Sequence, residues 1–432
     1  MRVVDLRGTA LTLASVSQEI PRAALDIASA SKQIAPLLEA IETRGLEAIH
    51  EVSLKYDGFV PEPIWAESAE FDAALDALDP QLLAAIQQAI ESVRQVSTGN
   101  LTDSVVSKPI AGGQVITRQI AVDSVGLYVP GGKAVYPSSV VMNVVPAQVA
   151  GVKRLVIATP GQKEFGGRPH PTVLATAKLL GVENVLVIGG PAAIGALAHG
   201  IAQVLEPVDM ITGPGNIFVA AAKRLVRGKV GIDSEAGTTE ILIVADETAN
   251  ARFVALDLLS QAEHDEAAAS VLVTDSVELI AAVQSEIDSL LPTMQHSERI
   301  AIALSGIQSA LVLVDDLSAA VEFANFYAAE HLEIQSADAQ AVANRIRHAG
   351  AIFVGDYSPV SLGDYMAGSN HVLPTGGTAR FNSGLGVHTF LRSQQVVEYS
   401  AAGLEALSAK IDLFARAEGL DAHGRAVTER FN

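Results

Sequence analysis

The sequence predicts an α/β protein with two Rossmann-like parallel-sheet domains and helical segments at its N- and C-termini. After about residue 113, short β-branched runs alternate with alanine-rich helical runs. The six or seven strand–helix units are too many for one compact sheet domain. Residues up to about 110 and from 400 to 430 instead show the periodicity of amphipathic helices.

The expected strands are runs of valine, isoleucine and leucine bounded by turn signals. They are RLVIAT (154–159), NVLVIGG (184–190), MITG (210–213), ILIVAD (241–246), SVLVTD (270–275), SALVLVD (309–315) and AIFVG (351–355). Helical runs such as PTVLATAKLL and PAAIGALAHG follow them. Such alternation is typical of a parallel sheet covered by helices on both faces.

In the N-terminal quarter, a period of 3.6 from Ser31 to Tyr56 predicts a long helix, and Asp79-Pro80 begins another. No strand is expected there. Residues 357–391 are rich in glycine, serine and proline and predict a functional loop.

We expect the two sheets to divide near Ala236–Thr239. The predicted parts are an N-terminal segment (1–24), a first α/β domain (25–126 with 240–380), a second α/β domain (127–239) and a C-terminal helical segment (381–432).

Composition excludes several classes of protein. The 432 residues include no cysteine, which excludes disulfides, cysteine zinc fingers, iron–sulfur clusters held by the chain and a thiolate nucleophile. A net charge of −20 argues against nucleic acid and anionic membranes as partners. The first residues lack the apolar run of a signal peptide, and Gly189-Gly190-Pro191 interrupts the uncharged stretch from Val185 to Leu205. We therefore expect a cytoplasmic protein without a membrane span.

A metal site is the first chemical possibility. Gln261 and His264 are three residues apart at the end of an apolar helix, so their side chains leave the same face. A polar helix terminus would look the same. With Asp364 and His423 they form the all-nitrogen-and-oxygen ligand set that a zinc site without cysteine needs.

A second possibility is proton transfer by the adjacent Glu330 and His331, where a helix meets a strand. Adjacent side chains diverge, so the pair suits two proton transfers in one cavity better than binding of one atom. An exposed surface pair is the alternative.

Glycine-rich turns after two predicted strands, Gly189-Gly190-Pro191 and Gly213-Pro214-Gly215-Asn216, could receive a pyrophosphate at a helix N-terminus. Neither fits G-x-G-x-x-G, since Phe218 stands where the third glycine of the second turn belongs. Tight packing turns would have the same composition. The usual dinucleotide fingerprint is therefore absent.

Six collinear stretches resemble histidinol dehydrogenases. They are SVGLYVPGGKAVYPSSVVMNVVPAQVAGV, ITGPGNIFVAAAKRLV, LLSQAEH, AAEHLEI, SLGDYMAGSNHVLPTGG and AEGLDAHGRAV. With ETRGLEAIHEVSLKYDG, the resemblance covers nearly the whole chain. It implies an NAD-dependent zinc enzyme that oxidises L-histidinol to L-histidine through L-histidinaldehyde, the last step of histidine biosynthesis.

The resemblance also implies roles for individual residues. His331 would be the general base, and Glu330 would activate the water that hydrates the aldehyde. The implied zinc ligands, which also contact substrate, are Gln261, His264, Asp364 and His423. The further implied substrate contacts are Thr239, Glu330, His371 and Glu418, and the implied NAD contacts are Tyr128, Asn216 and position 192. Family members are homodimers, and His423 would act in the neighbouring subunit's site.

Three segments depart from the family's usual residues. Ala192 stands where glutamine usually contacts the cofactor, Thr238-Thr239 replaces Pro-Ser, and Ala329 replaces the proline before Glu-His. The change at Ala192 deletes a hydrogen bond, a loss of ~1–3 kcal/mol if its partner stays unsatisfied. Two alternatives therefore stay open. One is a paralogous NAD-dependent dehydrogenase of another amino or hydroxyl substrate, and the other is a redox-inactive zinc-binding homologue or a hydrolase.

Overall fold

The structure is a computed structural model that describes residues 1–23, 27–131, 135–235 and 237–431. Its strands are β1 (Val3–Asp5), β2 (Val105–Ser107), β3 (Gly113–Ala121), β4 (Ser124–Tyr128), β5 (Arg154–Thr159), β6 (Val185–Val187), β7 (Met210–Thr212), β8 (Gly231–Ile232), β9 (Glu240–Ala245), β10 (Ala269–Thr274), β11 (Ala310–Leu313), β12 (His331–Gln335), β13 (Ala351–Val354) and β14 (Leu391–Tyr399). The domain boundary expected at residues 24–25 and Ala236 at the expected division lie outside the described residues.

The helices alternate with these strands through most of the chain. They are α1 (Leu13–Glu19), α2 (Ile27–Arg44), α3 (Leu46–Tyr56), α4 (Ser68–Asp76), α5 (Pro80–Gly99), α6 (Pro137–Ala150), α7 (Pro171–Leu179), α8 (Gly190–His199), α9 (Ile217–Val226), α10 (Ala251–Ala262), α11 (Val277–Leu290), α12 (Ser297–Ser305), α13 (Leu317–Tyr327), α14 (Ala339–Ala343), α15 (Val360–Tyr365), α16 (Ala401–Ala417) and α17 (Asp421–Thr428). Within the described residues, no helix is both apolar enough and long enough to traverse a bilayer.

Two parallel sheets form the centre of the molecule, which confirms the predicted fold class. The five-stranded sheet has the order β6-β5-β4-β7-β8, and the six-stranded sheet the order β1-β11-β10-β9-β12-β13. If β4–β8 and β9–β13 are each numbered from their first strand, both sheets follow the order third, second, first, fourth, fifth. This is the strand order of the classic doubly wound fold without its sixth strand.

The expectation that the N-terminal region contains no strand is wrong in two places. β1 forms the edge of the six-stranded sheet against β11, and β2 pairs with β3. Both strands are only three residues long, and β1 finds its partner about 300 residues away, so neither has a local signal.

The predicted helix over 31–56 is two helices, since α2 ends before Gly45, which has a φ of 56°, and α3 begins after it. Together with α8 and α9, α2 buries a cluster that includes Ile34, Leu38 and Ile41. Apolar periodicity identifies such a buried face but not its partner. The division of the chain into four parts stays a prediction. The packing shows that α2 contacts α8 and α9, two helices of the five-stranded sheet.

A third, antiparallel sheet connects the C-terminal segment to the middle of the chain. β14 pairs along its whole length with β3, from Leu391 opposite Ala121 to Tyr399 opposite Gly113. Ser400 then begins α16 and donates its N–H to the carbonyl of Gly112. α16 and α17 pack against each other as a helical hairpin.

Candidate active site

The predicted acid–imidazole pair lies at the amino end of β12, in the middle of the six-stranded sheet. α13 ends at Ala328 in the left-handed conformation, and three residues later the chain enters the strand at His331. Just before the neighbouring strand β13, a Cβ atom at Gly350 would lie 2.6 Å from the carbonyl oxygen of Glu330. Only glycine allows this approach, which fixes the backbone of Glu330.

Glu330 is buried and held by two donors. Its Oε2 accepts hydrogen bonds from the Thr239 hydroxyl at 2.6 Å and from the Glu240 N–H at 2.9 Å. Burial raises the pKa of Glu330 to about 7, against the lowering effect of these hydrogen bonds. A carboxyl group with a pKa near neutrality is suited to take a proton from water.

His331 is buried beside Glu330, and one of its ring nitrogens contacts a backbone carbonyl. Its Nδ1 lies 3.2 Å from the carbonyl oxygen of Glu240. Because a carbonyl only accepts, this contact places the proton on Nδ1. The buried Nε2 finds no hydrogen-bond partner among the described residues. Burial also lowers the pKa of His331, so the ring is neutral and Nε2 is free to accept a proton.

An ion pair between Arg22 and Glu240, which the sequence analysis missed, lies next to Glu330 and His331. Arg22 Nε lies 3.0 Å from Glu240 Oε2, and its guanidinium lies over the Tyr327 ring, 4.4 Å from the centroid. The N–H and carbonyl of the same Glu240 contact Glu330 and His331. Burial raises the pKa of Glu240 to about 7, while Arg22 lowers it. No local pattern marks Arg22.

Gln261 and Thr239 continue the hydrogen-bond chain away from Glu330. Gln261 Nε2 donates to the Thr239 hydroxyl at 2.5 Å, and that hydroxyl donates in turn to Glu330. The amide nitrogen of Gln261 is thereby used, and its oxygen stays available as a ligand.

His264 and Asp364 provide two more donor groups next to the pair. His264 Nδ1 lies 3.2 Å from the Ser260 carbonyl, which leaves Nε2 as a ligand atom. The Asp364 carboxylate receives no hydrogen bond from the residues that the structure describes. Burial raises its pKa, and the imidazoles of His331 and His264 lower it. A largely buried carboxylate that faces imidazoles without a hydrogen bond fits a cation site.

The fourth predicted ligand is elsewhere in the chain. His423 and Glu418 are exposed on the hairpin of α16 and α17. Neither is among the groups whose charges act on Glu330, His331 or Asp364. Accordingly, the described residues of a single chain contain no group of three histidine, cysteine, aspartate or glutamate side chains that could hold a metal. The donors fit zinc only with a ligand from outside this group.

His371 connects the site to the five-stranded sheet. Its Nδ1 lies 3.2 Å from the Asp364 carbonyl and its Nε2 3.3 Å from the Ser139 hydroxyl, on α6. Burial lowers the pKa of His371 to about 4, so the ring is neutral. Next to it, Asn370 donates to the carbonyl of Met142, also on α6. The sequence analysis did not single out Ser139.

The three predicted cofactor positions line one cavity of about 750 Å³. Tyr128 ends β4, and its hydroxyl accepts the N–H of Gly190 at 3.0 Å. Asn216 caps α9 through its side-chain oxygen, and Ala192 lies buried on α8. The opposite wall is formed by α2 and α3. Clefts at the carboxyl ends of parallel strands are the usual dinucleotide sites of such folds.

A Rossmann-like sheet that opens on such a cavity, together with a buried imidazole that has a free ring nitrogen, is typical of NAD-dependent oxidoreductases. The comparisons with known proteins identify the member of this class. The family model for histidinol dehydrogenase matches residues 20–431, and the chain belongs to the histidinol dehydrogenase family.

Relatives match over the full length. The chain is 53% identical to histidinol dehydrogenase of Leifsonia xyli subsp. xyli, with 100% of this chain and 99% of the relative covered. It is 54% identical to that of Mycobacterium tuberculosis, with 99% and 97% covered. The crystal structure of histidinol dehydrogenase from Elizabethkingia anophelis superposes with a TM-score of 0.93 at 31% identity, over 100% of this chain and 98% of that one.

Proposed function

We propose that this chain oxidises L-histidinol to L-histidine through L-histidinaldehyde, with two NAD per turnover and one zinc ion in each site. The observation that carries the proposal is the buried, unpartnered Nε2 of His331 beside the Glu330 carboxyl group. Alcohol oxidation needs a base for the hydroxyl proton, and aldehyde oxidation without cysteine needs an activated water.

In the first half-reaction, His331 Nε2 takes the substrate's hydroxyl proton while the carbinol hydrogen leaves as hydride to NAD. In the second, the Glu330 carboxylate takes a proton from the water that adds to the aldehyde carbon. Loss of hydride from the anionic hydrate would leave the carboxylic acid, which becomes the carboxylate by releasing its remaining proton to solvent. A second NAD, when bound, would accept that hydride. Thr239, which donates to Glu330, keeps the carboxylate oriented toward that carbon.

The zinc ligands we propose are Gln261, His264 and Asp364, with His423 of the partner subunit. Zinc, when bound, would fix the amine and imidazole of the substrate and so hold the reacting carbon in near-attack geometry. His371 and Glu418, the latter from the partner, would contact the substrate.

A homodimer with shared sites accounts for the position of the hairpin. Leu413 and Phe414 on α16 are 66% and 72% exposed, which is unusual for large apolar side chains unless a partner covers them. His423 lies on the same hairpin as these residues. A second copy of the chain can therefore bring an imidazole to the site while it buries these side chains.

The activity itself is tested with the zinc-loaded protein, histidinol and NAD. We expect two NADH for each histidinol consumed, and a Glu330→Gln variant whose oxidation of histidinaldehyde falls by ~10²–10⁴. Glu405→Gln, an exposed glutamate on α16, is the matched control. Absence of histidinol-dependent NADH would end the proposal, and turnover of a different amino alcohol instead would support a paralogous dehydrogenase.

Subunit complementation tests the shared site. His423→Ala and Glu330→Gln subunits are each expected to be inactive, whereas a heterodimer combines both lesions in one site and leaves the other intact. Random exchange should restore about a quarter of wild-type activity. No recovery despite subunit exchange, verified by mass spectrometry of differently tagged chains, would contradict the shared site.

A further inference from the structure

Three polar side chains of β12 point to one face of the six-stranded sheet. His331, Glu333 and Gln335 alternate with Leu332 and Ile334, and on the neighbouring strand they lie next to isoleucine and alanine side chains. That face is covered by α10 and is otherwise apolar. Glu333 and Gln335 are only 2% and 3% exposed. Buried polar groups of this kind need partners and a reason to be there.

Their partner is a second carboxyl group, Asp257 on α10. Gln335 Nε2 donates to Asp257 Oδ2 at 3.0 Å and to Glu333 Oε2 at 3.1 Å. The Asp257 and Glu333 carboxyl groups thus share Gln335 Nε2 as a donor, and each affects the pKa of the other. The other oxygen of Glu333 accepts the N–H of Val360 at 2.8 Å.

The pair of acids holds a proton. No cationic side chain among the described residues forms an ion pair with Asp257 or Glu333. Burial and the facing Asp257 carboxylate raise the pKa of Glu333 well above its usual range. Two carboxyl groups in contact cannot both ionise cheaply, so one proton shared between them forms their mutual hydrogen bond.

Each contact of this group lies on an element that carries a residue of the active site. Asp257 precedes Gln261 by one helical turn on α10, and Glu333 follows His331 by two residues on β12. Val360 is the first residue of α15, which carries Asp364. The group therefore joins the three elements that bring the proposed zinc ligands of this subunit to the base.

We propose that Asp257, Glu333 and Gln335 act as a carboxyl clamp that positions Gln261 and Asp364 relative to His331, and so sets the affinity and geometry of the metal site. The proposal rests on the proposed function, since it concerns the zinc site assumed there. All three are positioning residues, because none of them touches substrate, cofactor or metal. Groups that orient metal ligands in this way commonly change metal affinity 10–100-fold when removed.

The test compares two substitutions of Asp257, which lies on a helix and outside the site itself. In Asp257→Asn the amide N–H replaces the shared proton, and the amide oxygen still accepts from Gln335. We expect this variant to keep zinc affinity within about threefold of wild type. Asp257→Leu keeps the branched shape of the side chain and favours the helix, but it makes no hydrogen bond, and we expect its zinc affinity to fall about 10–100-fold.

Affinity is measured by calorimetry on the metal-free protein with Zn²⁺, and site geometry by the visible absorption spectrum with Co²⁺. The Co²⁺ spectrum should change in Asp257→Leu and stay as wild type in Asp257→Asn. Val312→Ala, in the buried strand β11 three strands from β12, is the control for a general loss of stability and should leave both readouts unchanged.

Wild-type affinity in Asp257→Leu would overturn the clamp, and so would an equal loss in both Asp257 variants. A change of the same size in Val312→Ala would also overturn it, because stability alone would then set the affinity. If the wild-type protein itself binds no Zn²⁺, the zinc in the proposed function fails first, so the two failures are distinguishable.

Discussion

The two parallel sheets have the same strand order but present their functional groups at opposite edges. In the five-stranded sheet, Tyr128 and the turns at Gly189 and Gly213 follow the carboxyl ends of strands. In the six-stranded sheet, Thr239 and Glu330 stand at the amino ends. Only the first sheet follows the rule that open α/β sheets bind ligands at their carboxyl ends. Fold topology therefore locates a cofactor cavity in one sheet and says nothing of the site in the other.

The chemistry of the two edges differs as well. The edge of the five-stranded sheet consists largely of glycine turns and helix N-termini, which suit a phosphate-bearing cofactor. The edge of the six-stranded sheet contains buried carboxyl and imidazole groups. The contacts of His371 with Ser139 and of Asn370 with Met142 join the two edges. A cofactor held by one sheet and a substrate held by the other would meet at this junction.

The His331→Asn substitution should distinguish the two edges most clearly, because it should change catalysis and leave NAD binding intact. We expect kcat to fall by ~10²–10⁴, because the unpartnered ring nitrogen proposed to take the hydroxyl proton is removed. NAD affinity, measured by calorimetry, should stay unchanged, because the cofactor cavity belongs to the other sheet. His388→Asn, at an exposed histidine, is the control. A large loss of NAD affinity in His331→Asn would show that the edges do not act separately.

A second test asks whether the buried Glu330 carboxyl group at the edge of the six-stranded sheet lowers the free energy of unfolding. Burial raises the pKa of Glu330 in the folded state to about 7, above its ordinary value of 4.5, so between these values the folded state binds more protons than the unfolded state. Stability from this group is therefore present below pH ~4.5 and is lost as pH rises to about 7. Glu330→Gln should raise the free energy of unfolding on the order of 1–2 kcal/mol at pH 8, with little gain at pH 4.5.

Urea denaturation at the two pH values measures this effect, with the exposed Glu405→Gln as control. A gain of the same size at both pH values would contradict the assignment to the Glu330 carboxyl group.

The smallest expected effect concerns the five-stranded sheet. Ala192→Gln should tighten NAD binding about threefold to tenfold, because a side-chain amide at the cavity wall adds a hydrogen bond to the cofactor. Ala192→Met has similar length without the amide and should bind NAD no more tightly than wild type. Titration calorimetry decides between them. Equal tightening by both would show that cavity volume, and not hydrogen bonding, limits affinity at this edge.

Much of the fold was predictable because its signals are local. The run at 154–159 is β5 residue for residue, and the run at 241–246 differs from β9 by one residue at each end. β12 was expected only as the strand at the Glu330–His331 junction and not as one of the apolar runs, because His331, Glu333 and Gln335 interrupt its apolar pattern. The antiparallel pair of β3 and β14 joins residues at least 270 positions apart, which no window on the sequence detects.

The site shows the same division between local and long-range information. Glu330 and His331 were predicted at a helix–strand junction, and the structure places them there. The contacts that define their chemistry come from Glu240 and, behind it, Arg22, more than 300 residues before Glu330. Asp257 and Glu333 do have a sequence signal, although it was not used. Each is an acidic residue at a position where the helix or strand pattern faces the core, and a buried acid needs a partner.

Gly350 shows how a position without any side chain can still govern turnover. A single methyl group there would collide with the backbone of Glu330, although residue 350 has no atom that could reach substrate. Most variants at this position should therefore appear in a genetic screen as enzymes that fold and bind metal but turn over slowly. Suppressors of such variants should map to the neighbouring loop around Leu373 and Pro374, whose side chains fill the remaining space.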